Sequence, residues 1–181
     1  MRKIIFILSV TLSLSLFSQE NASKIDLRLG MGSSLVGSGD MLTTAFENEL
    51  NYRINSHYAI SPSIGIANSN YGVDDIAHYI QGNLNMFYSP FQNNKSMDFR
   101  IGLGASFLEY TSSFEYERYT LLNGKEYSRY DFPVEKSFGV NVILENTVKL
   151  SPRFLLGLKA FTQIYYGNIN SGLMVKVGYS L

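Results

Sequence analysis

From residue 25 onward, apolar and polar residues alternate with a period of two, which predicts strands rather than helices. Residues 25–36 place Ile25, Leu27, Leu29, Met31 and Leu35 on one face, with Asp26, Arg28, Gly30, Gly32 and Ser34 on the other. Residues 44–54 set Phe46, Leu50, Tyr52 and Ile54 against Glu47, Glu49, Asn51 and Arg53, with Asn48 out of pattern on the apolar face. Residues 57–67 set Tyr58, Ile60, Pro62, Ile64 and Ile66 against His57, Ser61, Ser63 and Gly65. Residues 78–88 set Ile80, Leu84, Met86 and Tyr88 against Gln81, Asn83 and Asn85. The second half repeats this over 97–110, 137–150, 154–165 and 172–181. Its apolar faces run Phe99 to Phe107, Phe138 to Val148, Phe154 to Ile164 and Leu173 to Leu181.

Eight segments of about ten residues suit strands that cross a membrane at a tilt. A half-buried soluble sheet would also alternate, so the connectors matter. They fall at 37–43, 55–56, 68–77, 89–96, 111–136, 151–153 and 166–171. The second and sixth are tight and the fifth is long, as expected of a barrel with short turns on one side and longer loops on the other. Connector 89–96 is long for a turn on the short side. The expected fold is all-β: an eight-stranded, antiparallel, up-and-down transmembrane barrel.

The N-terminus reads as a leader. Arg2 and Lys3 precede an apolar run from Ile4 to Phe17, followed by Ser18-Gln19-Glu20. That is the layout of a secretory signal peptide, too short for a spanning helix. The expected organisation is a signal peptide over 1–18, a short periplasmic segment over 19–24 and a barrel over 25–181. Removing two of the 15 basic residues leaves 13 against 15 acidic ones. So balanced a chain gives no reason to expect a nucleic-acid partner. With no Cys and only two His, disulfides, thiolate sites and a Cys nucleophile are excluded.

The polar faces carry Asp26, Glu47, Glu49, Asp98 and Glu145, with Arg28, Arg53, Arg100, Lys149, Lys159 and Lys176. Five acids against six bases suit a narrow lumen filled by side chains, where unpaired charge would be costly. Gly30, Gly32, Gly65, Gly102, Gly104, Gly139, Gly157 and Gly178 share these faces and would make room for the Arg and Lys side chains. Two aromatic girdles are expected at the interfaces. Tyr52, Tyr58, Tyr88, Phe99, Phe154 and Tyr179 form one; Phe46, Phe107, Phe138, Tyr165 and Tyr166 form the other.

Together with the closing segment LMVKVGYSL, this pattern resembles the small eight-stranded outer-membrane barrels of the OmpA/OmpX-like kind. Leu173, Val175, Val177, Tyr179 and Leu181 alternate to the last residue, similar to the C-terminal signal read by the barrel-assembly machinery, although the family usually ends in Phe. The resemblance implies outer-membrane placement among lipid; a monomer is expected. It implies no reaction, because such barrels serve many roles.

Candidate chemistry is sparse. His57 and Ser61 stand four residues apart, about 13 Å along a strand, too far for a nucleophile and its base. Asp74, Asp75 and His78 cluster in one loop and read as solvated polar residues. Gly102-x-Gly104 lacks the helix that a nucleotide fingerprint needs. Glu47 and Glu49 have Arg28, Arg53 and Arg100 as partners. No catalytic group, cofactor or metal site is expected.

The distinctive exposed feature is 111–136, where Asn123-Gly124 signals a two-residue hairpin turn. That turn would pair Leu122 with Lys125 and, further down, Phe107 with Val140 and Leu103 with Leu144, setting Arg118 opposite Arg129. Phe114, Tyr116, Tyr119, Tyr127, Tyr130 and Phe132 crowd this hairpin and form the candidate binding surface for an extracellular protein or surface ligand. The expected role is non-enzymatic: structural, or surface binding and adhesion. The alternatives are a lipid-modifying outer-membrane enzyme and an accessory subunit of a secretion or assembly machine.

Overall fold

The computed structural model describes residues 24–37, 41–70, 76–92, 96–120 and 126–181. The expected leader, Asp74, Asp75, and the Asn123-Gly124 turn lie outside the described residues. Among the described residues there are ten strands: β1 (Ile25–Val36), β2 (Met41–Arg53), β3 (Tyr58–Asn70), β4 (Ile76–Tyr88), β5 (Met97–Ser112), β6 (Phe114–Thr120), β7 (Glu126–Asp131), β8 (Val134–Lys149), β9 (Phe154–Tyr165) and β10 (Asn168–Ser180). Eight close into an antiparallel barrel in the order β1-β2-β3-β4-β5-β8-β9-β10, and β6 and β7 form a separate two-stranded sheet.

The pairing register sets the tilt. Ile25 faces Tyr52, then the row runs through Ile60, Met86, Leu103, Val142, Thr162 and Ser171 back to Leu35. One circuit therefore climbs ten residues of β1. Ten rises of about 3.3 Å over eight spacings of about 4.8 Å give strands tilted by roughly 40°. At that tilt the 12 residues of β1 cover about 30 Å of membrane normal. The 16 residues of β5 and of β8 stand about 10 Å taller and carry β6–β7 outward.

The strands extend further than the expected ten residues. β2 starts at Met41, β3 runs to Asn70, β10 starts at Asn168, and connector 166–171 shrinks to Tyr166-Gly167. Gly167 takes φ +78°, a left-handed conformation that lets so short a turn close. The 89–96 connector stays long, between Tyr88 and Met97.

Outside, the wall is apolar: Leu29 is 57% exposed, Ile64 65% and Leu103 63%. No water-soluble surface carries a continuous apolar band of this kind; it is a lipid-facing one. Aromatic pairs sit at both ends, with Tyr58–Tyr88 and Phe154–Tyr179 near the termini and Phe107–Phe138 at the far end. Tyr165 departs from expectation. Its ring is buried in the lumen, because strict alternation after outward Ile164 turns it inward beside Gln163.

The β5–β8 register is also corrected. Phe107 pairs with Phe138 and Leu103 with Val142, two residues from the pairing that a two-residue turn requires. Near the tip Thr120 pairs with Glu126, leaving five residues between them, an odd number that the expected Leu122–Lys125 closure cannot produce. An irregularity between Glu115 and Glu117 absorbs one more residue. The total slip is even, so outward residues still face outward residues. The feared like-charge pair vanishes too: Arg129 faces Glu117, and Arg118 faces Ser128.

Candidate functional site: the sealed lumen and the projecting hairpin

Charged side chains fill the half of the lumen nearer the termini. Asp26, on β1, accepts from Arg28 at 3.0 Å, Arg53 at 2.7 Å and Asn51 at 3.1 Å. It also accepts from Ser180 on β10, across the closing seam. Glu145 accepts from Arg28 at 2.5 Å, Arg100 at 2.8 Å and Lys176 at 3.2 Å. Glu49 accepts from Arg100 at 2.9 Å and from Lys176. Glu47 takes Lys159 at 2.8 Å and lies 3.3 Å from Lys176. The charged side chains among these are at most 3% exposed, apart from Arg53 at 12%.

The structure thus joins nine of the eleven expected network residues. Asp98 is buried, with an Oδ1 that makes no hydrogen bond. Lys149 stands half-buried at the end of β8. Every acid of the cluster touches at least one cation, so burial is offset by paired, hydrogen-bonded charge.

The outer half of the lumen is held by neutral groups that charge counting does not reveal. Ser34 shares its hydroxyl with Thr43 at 2.7 Å and Tyr79 at 2.8 Å. Asn83 Oδ1 accepts from Ser106, Gln163 and Asn141. Tyr165 lies 2.5 Å from the Ser106 hydroxyl and donates to Gln163 at 3.2 Å. Their signal was present in the polar faces, as Asn, Gln and Ser repeating every second residue.

The inward glycines serve more than the cations. A Cβ at Gly102 would come within 2.6 Å of Phe87, whose ring carries the Arg100 guanidinium 3.7 Å from its centre. A Cβ at Gly139 would meet the Tyr165 ring at 2.5 Å. Gly30, Gly157 and Gly178 do flank Lys176 and Arg28.

Residues weighed for catalysis are placed apart. His57 Nδ1 lies 2.8 Å from the Ser89 carbonyl, while Ser61 donates to Asn51. His78 stands on the outer wall between Asn68 and Thr111, lining an open groove of about 680 Å³ with Thr44 and Phe46. Among the described residues no three His, Asp or Glu side chains converge to hold a metal ion.

Among the described residues, β6 and β7 pair with each other in a sheet of their own. Tyr119 and Tyr127 face each other across it, rings stacked at 5.8 Å, and remain 42% and 44% exposed. Tyr130 lies half-buried on the opposite face, and Phe132 is exposed just past the strand. Phe114 and Tyr116 are strand positions whose side chains lie outside the described residues. Glu115 bridges the sheet, accepting from Arg118 at 2.7 Å and Ser128 at 2.9 Å. Those two donors hold its carboxyl below the usual carboxylate range.

No family model matches the chain, and no curated protein sequence does. Solved structures do. The crystal structure of Neisserial surface protein A superposes with a TM-score of 0.68 at 14% identity, covering 90% of this chain and all of that one. Ail, the attachment invasion locus protein of Yersinia pestis, gives 0.59 at 12% identity, covering 87% and 97%. This is the fold of a small outer-membrane β-barrel. The N-terminal barrel domain of Pseudomonas aeruginosa OprF agrees, with a TM-score of 0.58 at 10% identity, covering 84% of this chain and 96% of that domain. The barrel described here differs from a bare barrel chiefly in its taller β5–β8 wall and the sheet above it.

Proposed function

We propose that this outer-membrane barrel is non-enzymatic and that its projecting hairpin binds an extracellular protein or surface ligand. The observation that carries the reading is the stacked Tyr119–Tyr127 pair, held outside the barrel with both rings exposed. Rigid, exposed aromatics supply large contact area at small entropic cost, which favours binding surfaces. The hairpin's outer edges also offer backbone groups to an incoming strand. That Ail is named an attachment invasion locus protein supports a surface role for this shape of molecule. During assembly, the alternating terminal strand β10 is the segment that the barrel-assembly machinery would read.

The test replaces residues 113–132 with an Asn-Gly turn. The variant is expected to keep the gel-mobility difference between boiled and unboiled samples, the mark of a folded barrel. Cells displaying the intact protein should bind members of a panel of immobilised serum and matrix proteins, and cells displaying the variant should not. Equal binding by both, or none by the intact protein, overturns the proposal.

A further inference from the structure

The lipid-facing wall carries a polar side chain at its middle. Asn48 points outward from the middle of β2, between Leu29 on β1 and Ile64 on β3. It lies four residues from Tyr52 in the aromatic belt and six from outward Leu42. At a tilt of roughly 40° those separations are about 10 and 15 Å along the membrane normal, so the amide sits near mid-bilayer. Other outward polar side chains lie further from the middle or pair with one another: Ser33 and Thr44 face each other four residues further toward the outer rim. Ser171 donates to Thr162 at 3.1 Å, and Asn146, whose Oδ1 also makes no hydrogen bond, is half-buried beside Phe99 toward the terminal end. The Asn48 amide makes no hydrogen bond to any described residue, in a medium that offers none.

The wall beside it is irregular. The β2–β3 pairing runs through Glu49–Ser63, skips Leu50 and Asn51, and resumes at Tyr52–Ile60. Pro62, which has no N–H to give, lies at the gap. A shallow groove of about 270 Å³ opens there on the lipid side, lined by Leu27, Asn48, Leu50, Pro62 and Ile64.

We propose that the β1–β3 wall is the interface of a two-fold homodimer, with Asn48 at its centre. An amide carries both a donor and an acceptor, so two Asn48 side chains meeting across a two-fold axis satisfy each other reciprocally. A lipid tail offers neither group. The groove accepts an aliphatic side chain of the second copy, such as Leu50, which lies beside Asn48 on the same face. Small or polar residues amid an apolar surface are how helices associate in membranes, and the same physics acts on a barrel wall. A pair, in place of the expected monomer, is the state proposed.

The chain has no Cys, so single-cysteine variants report cleanly. Purified Asn48→Cys and Val142→Cys proteins are reconstituted in lipid vesicles and oxidised. Val142 is an outward residue at comparable depth on β8, on the opposite wall. Asn48→Cys should cross-link at least ten times faster than Val142→Cys. In a second arm, energy transfer between labelled copies should fall at least tenfold in apparent association constant for Asn48→Leu, a change that cannot harm insertion. Equal cross-linking at both sites, or undiminished association of Asn48→Leu, overturns the proposal.

Discussion

Substituting Glu145 with Gln keeps the shape of the side chain and removes one buried anion. Three cations lose their shared partner: Arg28 at 2.5 Å, Arg100 at 2.8 Å and Lys176 at 3.2 Å. A single pair at 2.8 Å is worth about 6 kcal/mol at an effective dielectric of about 20, before desolvation. Burial of the carboxylate offsets most of that, and the amide still accepts hydrogen bonds. What remains is the penalty of cations left buried beside a neutral group, about 3–5 kcal/mol. The assay is a urea refolding titration in lipid vesicles, read by gel mobility. Glu109→Gln is the internal control, because the Glu109–Lys136 pair at 3.1 Å is largely exposed and its loss should cost at most about 1 kcal/mol. Combining Glu145→Gln with Lys176→Met should recover about 0.5–3 kcal/mol relative to the sum of the singles. If Glu145→Gln costs no more than Glu109→Gln, the lumen is hydrated and the sealed-network reasoning fails.

Three further outcomes follow from the same geometry. Leu103→Arg puts a charge on the outer wall between Met86 and Val142 and should cost about 2–4 kcal/mol in the same titration; a neutral effect would mean that this face does not meet lipid. Planar-bilayer recordings should show no stable porin-like conductance, since Arg100, Lys176 and Phe87 are buried in mid-lumen; a reproducible large channel would contradict the packing. Because Arg118 and Ser128 depress the folded Glu115 value, their support for the hairpin is complete above the ordinary carboxylate range and lost as pH falls through the folded value. Carboxyl NMR should therefore place the Glu115 inflection below that of an ordinary Glu, and an unshifted inflection would dissolve the bridge.

Strand number, the two faces and the projecting hairpin were legible because period-two alternation in a one-sided solvent is a strong constraint. Tyr165 was misread for an instructive reason. Its neighbours Gln163 and Ile164 already assign it to the lumen, but an aromatic near a strand end suggests a girdle, and the alternation is the stronger rule. The hairpin register depended on an irregularity at Glu115–Glu117 that local residue preferences do not announce. The network's membership followed from charges on one face, but its pairings did not. Arg28 meets Glu145 across 117 residues, and only the barrel's circuit of ten residues brings them together.

That circuit has a consequence for how the barrel can close. Arg28 lies on β1 and Lys176 on β10, the two strands that meet at the seam, and Ser180 reaches across it to Asp26. Lys176 alone serves Glu47, Glu49 and Glu145, from β2 and β8. A sheet that lacks its last strand therefore holds three carboxylates short of their common cation, and water must stay among them. Drying of the interior and sealing of the wall are one event, and the last strand delivered carries the ion that lets both happen.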